Sequence, residues 1–106
     1  MKSILIIGLG RFGRHLCRKF MSLKNEVMIV DRDEAAVTAL ADEATSAQIA
    51  DCTDENALRA LGVKNFDLCF VCIGSDFASS LLITSMLKDM GAARVVAKAS
   101  QDIHAK

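Results

Sequence analysis

The 106-residue sequence contains no proline, and it has no low-complexity segment, internal repeat or linker. The sequence therefore shows no domain boundary, and residues 1–106 have a length that is common for a single domain. The 13 basic and 13 acidic residues cancel, so no excess of charge points to nucleic acid or to an anionic membrane surface. No stretch approaches the roughly 20 apolar residues of a membrane span. We expect a cytoplasmic domain with no direct membrane insertion.

Two of the four cysteines, Cys69 and Cys72, form a C-x-x-C motif. That spacing occurs in redox and metal sites, but the apolar run 68–73 is typical of a buried strand. Side chains alternate between the two faces of a strand, so this odd offset puts the sulfurs on opposite sides, with about 10 Å between the Cα atoms. We expect small buried thiols and no metal site.

Apolar runs typical of buried strands alternate with helical patterns along the whole chain. Strands are predicted at 3–7, 27–30, 47–50, 69–73 and 94–98, and helices at 11–23, 33–42, 53–61 and 77–90. This alternation predicts a Rossmann-like, doubly wound parallel sheet of order 3-2-1-4-5 in a three-layer α/β/α fold. Thr53 is the expected N-cap of the third helix. A Rossmann sheet normally has a sixth strand, so we expect a fragment of a longer chain.

The first predicted strand leads into a glycine-rich motif that opens a helix, Gly8-Leu9-Gly10-Arg11-Phe12-Gly13. A G-x-G-x-x-G motif alone is a weak signal, but this one lies in a βαβ unit whose second strand ends in an acid, Asp31, at nearly the usual spacing. Gly8 permits the tight turn, Gly10 lets the backbone approach a pyrophosphate, and Gly13 lets the helix pack on the sheet. Helix amides would then face the phosphates. Asp31 would accept hydrogen bonds from ribose hydroxyls, which argues against a 2′-phosphate.

The remaining strands are expected to end at the same crevice, where ligands bind in open α/β sheets. The residues expected there are Asp51 and Cys52 after strand three, Ile73 and Gly74 after strand four, and Lys98 at the end of strand five. Arg32 follows the ribose acid directly, and its positive charge weakens the argument against a 2′-phosphate. Arg11 stands in the first helical turn, where a guanidinium can reach a phosphate. Four alternatives stay open: a helix-capping role for Asp31, a helix-capping or turn role for Asp51, a solvated strand end for Lys98 and a surface position for Arg11.

No set of residues suited to catalysis is apparent. His15 and His104 have no carboxylate or nucleophile placed to work with them, and the serines of helix 77–90 lack a base. A dehydrogenase also needs a substrate-binding half, and these 106 residues have no room for one. Helix 77–90 is apolar on more than one face, which predicts a protein–protein interface. We therefore expect a binding domain and not an enzyme.

Four segments together resemble the RCK (regulator of potassium conductance) family, and more narrowly the N-terminal, TrkA-N lobe of Trk/Ktr potassium-uptake regulatory subunits. They are the glycine motif 8–13, Val30-Asp31, Ala50-Asp51-Cys52-Thr53 and Val71-Cys72-Ile73-Gly74. The resemblance implies a cytosolic subunit that binds NAD(H) or ATP/ADP. It also implies homo-oligomers, dimers arranged in rings, that regulate a membrane potassium transporter or channel subunit at the inner face of the membrane.

The resemblance assigns roles to residues within those segments. It implies that Gly8, Gly10 and Gly13 form the phosphate turn, which also contains Phe12, and that Arg11 contacts a phosphate. Asp31 matches the ribose acid, Asp51 and Cys52 match the adenine edge, and Ile73 and Gly74 match the wall after strand four. Two other functions stay open: the cofactor-binding half of an NAD-dependent oxidoreductase, and an assembly domain with a vestigial site. An acid that binds the ribose suits both NAD(H) and ATP/ADP, so the sequence does not choose between these ligands.

Overall fold

Five strands alternate with four α-helices in the computed structural model, which describes residues 1–73 and 76–97. The strands are β1 (Ser3–Ile7), β2 (Glu26–Asp31), β3 (Ser46–Ile49), β4 (Leu68–Val71) and β5 (Val95–Ala97). The helices are α1 (Arg11–Ser22), α2 (Glu34–Leu40), α3 (Glu55–Ala60) and α4 (Phe77–Asp89), with 3-10 turns at Ala41–Glu43 and Val63–Asn65. The predicted elements are therefore present, with bounds shifted by a few residues.

All strands pair in parallel, in the order β3-β2-β1-β4-β5. Ile7, at the end of the central strand β1, pairs with Val30 of β2 on one side and with Val71 of β4 on the other. The predicted doubly wound α/β class and its strand order are confirmed. Because the chain leaves β1 toward one side of the sheet and later returns to the other, a crevice opens at the carboxyl end of β1.

Alternate residues of β1 face two apolar clusters on opposite sides of the sheet. Leu5 and Ile7 pack in the cluster that contains residues of α3 and α4. Ile4 and Ile6 pack in the cluster that contains residues of α1 and α2. All four side chains are at most 2% exposed. The sheet is therefore covered on both faces, which confirms three layers.

The C-x-x-C motif has the geometry that strand alternation predicts. Cys69 lies in the cluster on the α3–α4 side of the sheet, and Cys72 lies in the cluster on the α1–α2 side. All four cysteines are buried, and they form no disulfide. Burial also raises the pKa of the Cys69 thiol to about 11. The prediction of small buried thiols is confirmed.

Aspartates cap three of the helices. Asp33, Asp54 and Asp76 accept hydrogen bonds from backbone amides in the first turns of α2, α3 and α4. The prediction that Thr53 caps the third helix is therefore wrong. The Thr53 hydroxyl donates instead to Asp51 Oδ1 at 2.6 Å, which leaves the cap to the next residue.

Helix α4 exposes large apolar side chains on the face that points away from the sheet. Phe77, Leu81 and Leu82 are 57%, 60% and 46% exposed, whereas Ile83 and Leu87 on its opposite face are buried. An exposed apolar strip of this kind is typical of a surface that binds another protein. The interface itself stays a prediction. No helix in the described ranges is both long enough and apolar enough to cross a bilayer.

Candidate functional site

A cavity of about 250 Å³ opens at the carboxyl edge of the sheet. Its walls come from the turn after β1, the end of β2, the segments that follow β3 and β4, and the first turns of α4. This is the position at which the strand order reverses, where open α/β sheets bind their ligands. The cavity is therefore the candidate site.

Most of the predicted site residues line this cavity. They are Gly8, Gly10, Asp31, Arg32, Asp51, Cys52 and Ile73. Arg11, Phe12 and Gly13 do not line it, although they belong to the adjoining first turn of α1. Gly74 and Lys98 lie outside the described residues. The structure thus gathers residues from four separate strand ends at one cavity.

The three glycines of the motif meet different constraints. Gly8 has φ +99°, in the left-handed region that favours glycine, and a Cβ there would lie 2.8 Å from the carbonyl oxygen of Cys72. A Cβ on Gly13 would collide with the carbonyl oxygen of Gly8. A Cβ on Gly10 would meet no atom within 4 Å. The packing of the described chain therefore requires Gly8 and Gly13, but it does not require Gly10.

The N-terminus of α1 differs from those of the other helices. Its N-cap is Gly10, and among the described residues no side chain caps it and no acidic residue stands in its first turn. The other three α-helices are each capped by an aspartate. Backbone amides and the positive end of the helix dipole at an uncapped N-terminus attract anions. The arrangement suits a phosphate at this edge of the cavity.

Asp31 stands at the end of β2 and joins two turns. Its Oδ2 accepts a hydrogen bond from the Leu9 amide at 2.8 Å, and its Oδ1 accepts one from the Asp33 amide at 2.9 Å. The alternative role of Asp31 as a helix cap is not observed, because Asp33 caps α2. Each carboxylate oxygen has a second lone pair, so Asp31 retains acceptor capacity toward a hydroxyl in the cavity.

Charges of both signs line the cavity. Hydrogen bonds from the Thr53 hydroxyl and amide lower the pKa of Asp51, and the positive charge of Arg32 lowers it further. Hydrogen bonds from Ser79 lower the pKa of Asp76, where Arg32 also contributes. Both carboxylates are therefore ionised at neutral pH, with one guanidinium near them. In residues 1–73 and 76–97, no group of three or more His, Cys, Asp or Glu side chains is placed to hold a metal ion.

The Cys52 thiol belongs to the apolar part of the wall. Burial, followed by the nearby charges of Asp51 and Asp31, raises its pKa to about 12. The thiol is therefore protonated at neutral pH and is a poor nucleophile. Ile73 and Ile83 add further apolar surface to the same cavity, which suits the face of a planar base.

The contribution of α4 to the cavity was not predicted from the sequence. Asp76, Ser79 and Ile83 line the cavity from the first turns of this helix. The available signal was the position of the helix: it follows β4, whose carboxyl end lies at the cavity, and residues 79 and 83 share one helical face. Leu9 and Thr53 also line the cavity and were not predicted.

Comparisons with known proteins agree with this fold. The TrkA-N domain family model matches residues 4–106. The Ktr system potassium uptake protein C of Bacillus subtilis (strain 168) is 42% identical over 105 residues, which cover 99% of this chain and 48% of that protein. The chain therefore spans about half the length of this relative.

Two solved structures are similar in fold. The NAD(P)-binding domain of an exopolyphosphatase-related protein from Archaeoglobus fulgidus is 27% identical with a TM-score of 0.79, over 92% of this chain and 72% of that chain. The GsuK channel bound to NAD is 17% identical with a TM-score of 0.81, over 97% of this chain and 19% of that chain. At that identity, the likeness to the channel concerns the fold alone.

Proposed function

The chain belongs to the TrkA-N domain family, as the resemblance predicted, and from this premise we propose that it is a cytoplasmic ligand-sensing regulatory domain of a potassium transport system. It binds NAD(H) or ATP/ADP and acts on a membrane potassium transporter or channel subunit. The observation that carries this proposal is one cavity that joins three features: the N-terminus of α1, which no side chain of the described residues caps, a glycine whose Cβ position is open, and the carboxylate of Asp31.

Each part of the cavity has a proposed ligand group. Phosphates lie at the N-terminus of α1, beside Gly10, and the ribose hydroxyls donate hydrogen bonds to Asp31. The base lies against Cys52 and the residues that follow β4. Arg11 and Arg32 supply positive charge to the phosphates from the rim. Gly74 and Lys98 stay in the proposed site on the sequence alone.

NAD(H) has the more direct support among the two ligand classes. One structural neighbour is named an NAD(P)-binding domain, and another is a channel bound to NAD. ATP/ADP is retained because a helix N-terminus and a ribose acid serve a nucleoside polyphosphate equally well. No catalytic role is proposed. The carboxylates beside the Thr53 and Ser79 hydroxyls in the cavity are Asp51 and Asp76, whose lowered pKa values make them weak bases, and the named Ktr relative is a potassium uptake protein.

We further propose that α4 connects the ligand to a second copy of the chain. Ser79 and Ile83 of this helix line the cavity, while Leu81 and Leu82 are exposed on its other side. A ligand can shift an oligomer only if it binds the two arrangements with unequal affinity. In this proposal the difference arises because α4 moves when the subunits rearrange, which moves Ser79 and Ile83 in the cavity wall.

Isothermal titration with NADH, NAD, ATP and ADP tests the proposed function. We expect at least one of them to bind the wild-type protein, and Asp31→Ala to weaken that binding. Asp42→Ala is the matched control, because Asp42 is an exposed acid in the 3-10 turn after α2 and does not line the cavity. Saturation about 100-fold above Kd should also stabilise the wild type by about 2.7 kcal/mol. Wild-type affinity in Asp31→Ala would refute the site.

A further inference from the structure

We propose that Asp31 is a positioning residue that shapes the cavity before any ligand enters. Its carboxylate ties the glycine turn after β1 to the turn after β2. The proposal concerns the ligand-free protein, and it adds a second role to the residue that is proposed to bind ribose. The contacts of Asp31 with the two turns are independent of any ligand, whereas their importance for binding rests on the proposed nucleotide site.

The first contact extends the pairing of β1 with β2 beyond the last strand residue. The Gly8 amide donates to the Val30 carbonyl oxygen at 2.9 Å, as in a regular parallel ladder. At the next residue the side chain of Asp31 replaces the backbone, because its Oδ2 accepts the Leu9 amide at 2.8 Å. Leu9 is 4% exposed and this hydrogen bond is partly buried, so water is a poor substitute acceptor for the amide.

The second contact fixes the turn after β2. Asp31 Oδ1 accepts the amide of Asp33, two residues later, at 2.9 Å. This is an Asx turn, in which a side chain takes the place of a backbone carbonyl. Arg32 lies between the two bonded residues and lines the cavity. One carboxylate therefore holds both the glycine turn and the backbone that carries Arg32.

The direction of the Leu9 amide has a consequence for the ligand. Because this amide donates to Asp31, it is directed toward β2 and is not among the phosphate donors. The proposed phosphate therefore lies beside Gly10 at the start of α1 and not at Leu9. A ribose would share a carboxylate whose position is already fixed, so less conformational freedom is lost when the ligand binds.

Asp51 provides a matched control for Asp31. It stands at the same edge of the sheet, lines the same cavity and also accepts the amide two residues later, Thr53, at 3.0 Å. Its Oδ1 accepts the Thr53 hydroxyl as well. These contacts stay within one turn, so the loss of the Asp51 carboxylate should leave the glycine turn unchanged.

Amide hydrogen exchange of the ligand-free, ¹⁵N-labelled chain tests the proposal in the wild type and three variants. In Asp31→Ala, the Leu9 and Asp33 amides should both exchange roughly tenfold faster, since each loses its acceptor. Asp31→Asn keeps one acceptor oxygen, so only one of the two amides should accelerate. Asp51→Asn should change neither, and the Ile6 amide in the sheet should exchange at the wild-type rate in all of them.

Unchanged exchange of Leu9 in both Asp31 variants would overturn the proposal. Equal acceleration of Leu9, Asp33 and Ile6 would also overturn it, because that pattern indicates a general loss of stability and no local positioning. If Asp31→Ala does not fold, Asp31→Asn alone decides the outcome. Selective acceleration in a protein that binds neither NADH nor ATP would uphold the positioning role and refute the proposed function.

Discussion

Alanine substitutions at Gly10 and Gly13 separate what the fold requires from what a ligand requires. A Cβ on Gly13 collides with backbone, at the Gly8 carbonyl oxygen. Such overpacking costs about 3 kcal/mol, which corresponds to a fall of about 12 °C or more in the melting temperature of a domain of this size. Gly10 has φ −71° and open space at its Cβ position, so Gly10→Ala should cost less than about 1 kcal/mol as an N-cap change.

Gly10→Ala, which should change the stability of the free protein little, should nevertheless weaken ligand binding. Gly10 lines the cavity, and its new methyl group would occupy space that the proposed phosphate needs. We expect Gly10→Ala to weaken the binding of NADH or ATP roughly tenfold, which is about 1.4 kcal/mol. Thermal melts with and without ligand, together with isothermal titration, measure both quantities on the same samples.

Two results would refute this reasoning. If Gly10→Ala binds ligand as tightly as the wild type, the phosphate does not lie beside Gly10. If Gly13→Ala is as stable as Gly10→Ala, the contact between the start of α1 and the glycine turn is not as close as described.

Three other features give further predictions. Leu81→Asp should reduce the oligomeric mass measured by light scattering, whereas Leu23→Asp should not. The two leucines are similarly exposed, at 60% and 58%, but only Leu81 lies on α4. Equal masses of the two variants would contradict an interface on α4. Hydrogen bonds from Ser79 hold the pKa of Asp76 below its ordinary value of 3.8, so the charged cap stabilises the fold above that pH and is lost as the pH falls through the lower, folded-state pKa. The difference in melting temperature between the wild type and Asp76→Asn should therefore shrink below about pH 4, and a constant difference would count against the charged cap. Ellman's reagent should react slowly with the folded protein at about pH 8, since burial raises the pKa of Cys52 to about 12 and that of Cys69 to about 11. Immediate reaction of all four thiols would show that they are accessible and would contradict their burial.

The fold could be predicted because the sequence pattern is consistent at several levels. Residues 4–7 are apolar without interruption, which indicates a strand covered on both faces, and β1 is the central strand. The alternation of strands and helices, with right-handed crossovers, then leaves few possible topologies. The pattern is less informative at the edge of the sheet, where Ile49 of β3 is apolar but 52% exposed.

Local choices between similar residues could not be predicted. Thr53 and Asp54 are adjacent, and both are good capping residues. The choice depends on Asp51. Its carboxylate accepts a hydrogen bond from the Thr53 hydroxyl, and Asp54 caps the helix instead. That contact depends on the path of the chain after β3, which residue preferences do not specify.

The candidate site was predictable where it depends on strand ends and not where it depends on helix orientation. The residues after β2 and β3 line the cavity because parallel strands end at one edge. Asp76, Ser79 and Ile83 were missed because their contribution depends on how α4 crosses that edge. The motif also groups Gly13 with the site, although its close contact is with Gly8 within the protein.

The most direct test of the account is to map the ligand on the wild-type protein by ¹⁵N NMR, with NADH and ATP titrated separately. The proposed site predicts that the amide shifts change mainly in residues 8–13, 31–32 and 51–53, around the cavity at the carboxyl edge of the sheet. Shift changes confined to other surfaces, or none at millimolar ligand, would contradict the claim that this cavity binds a nucleotide.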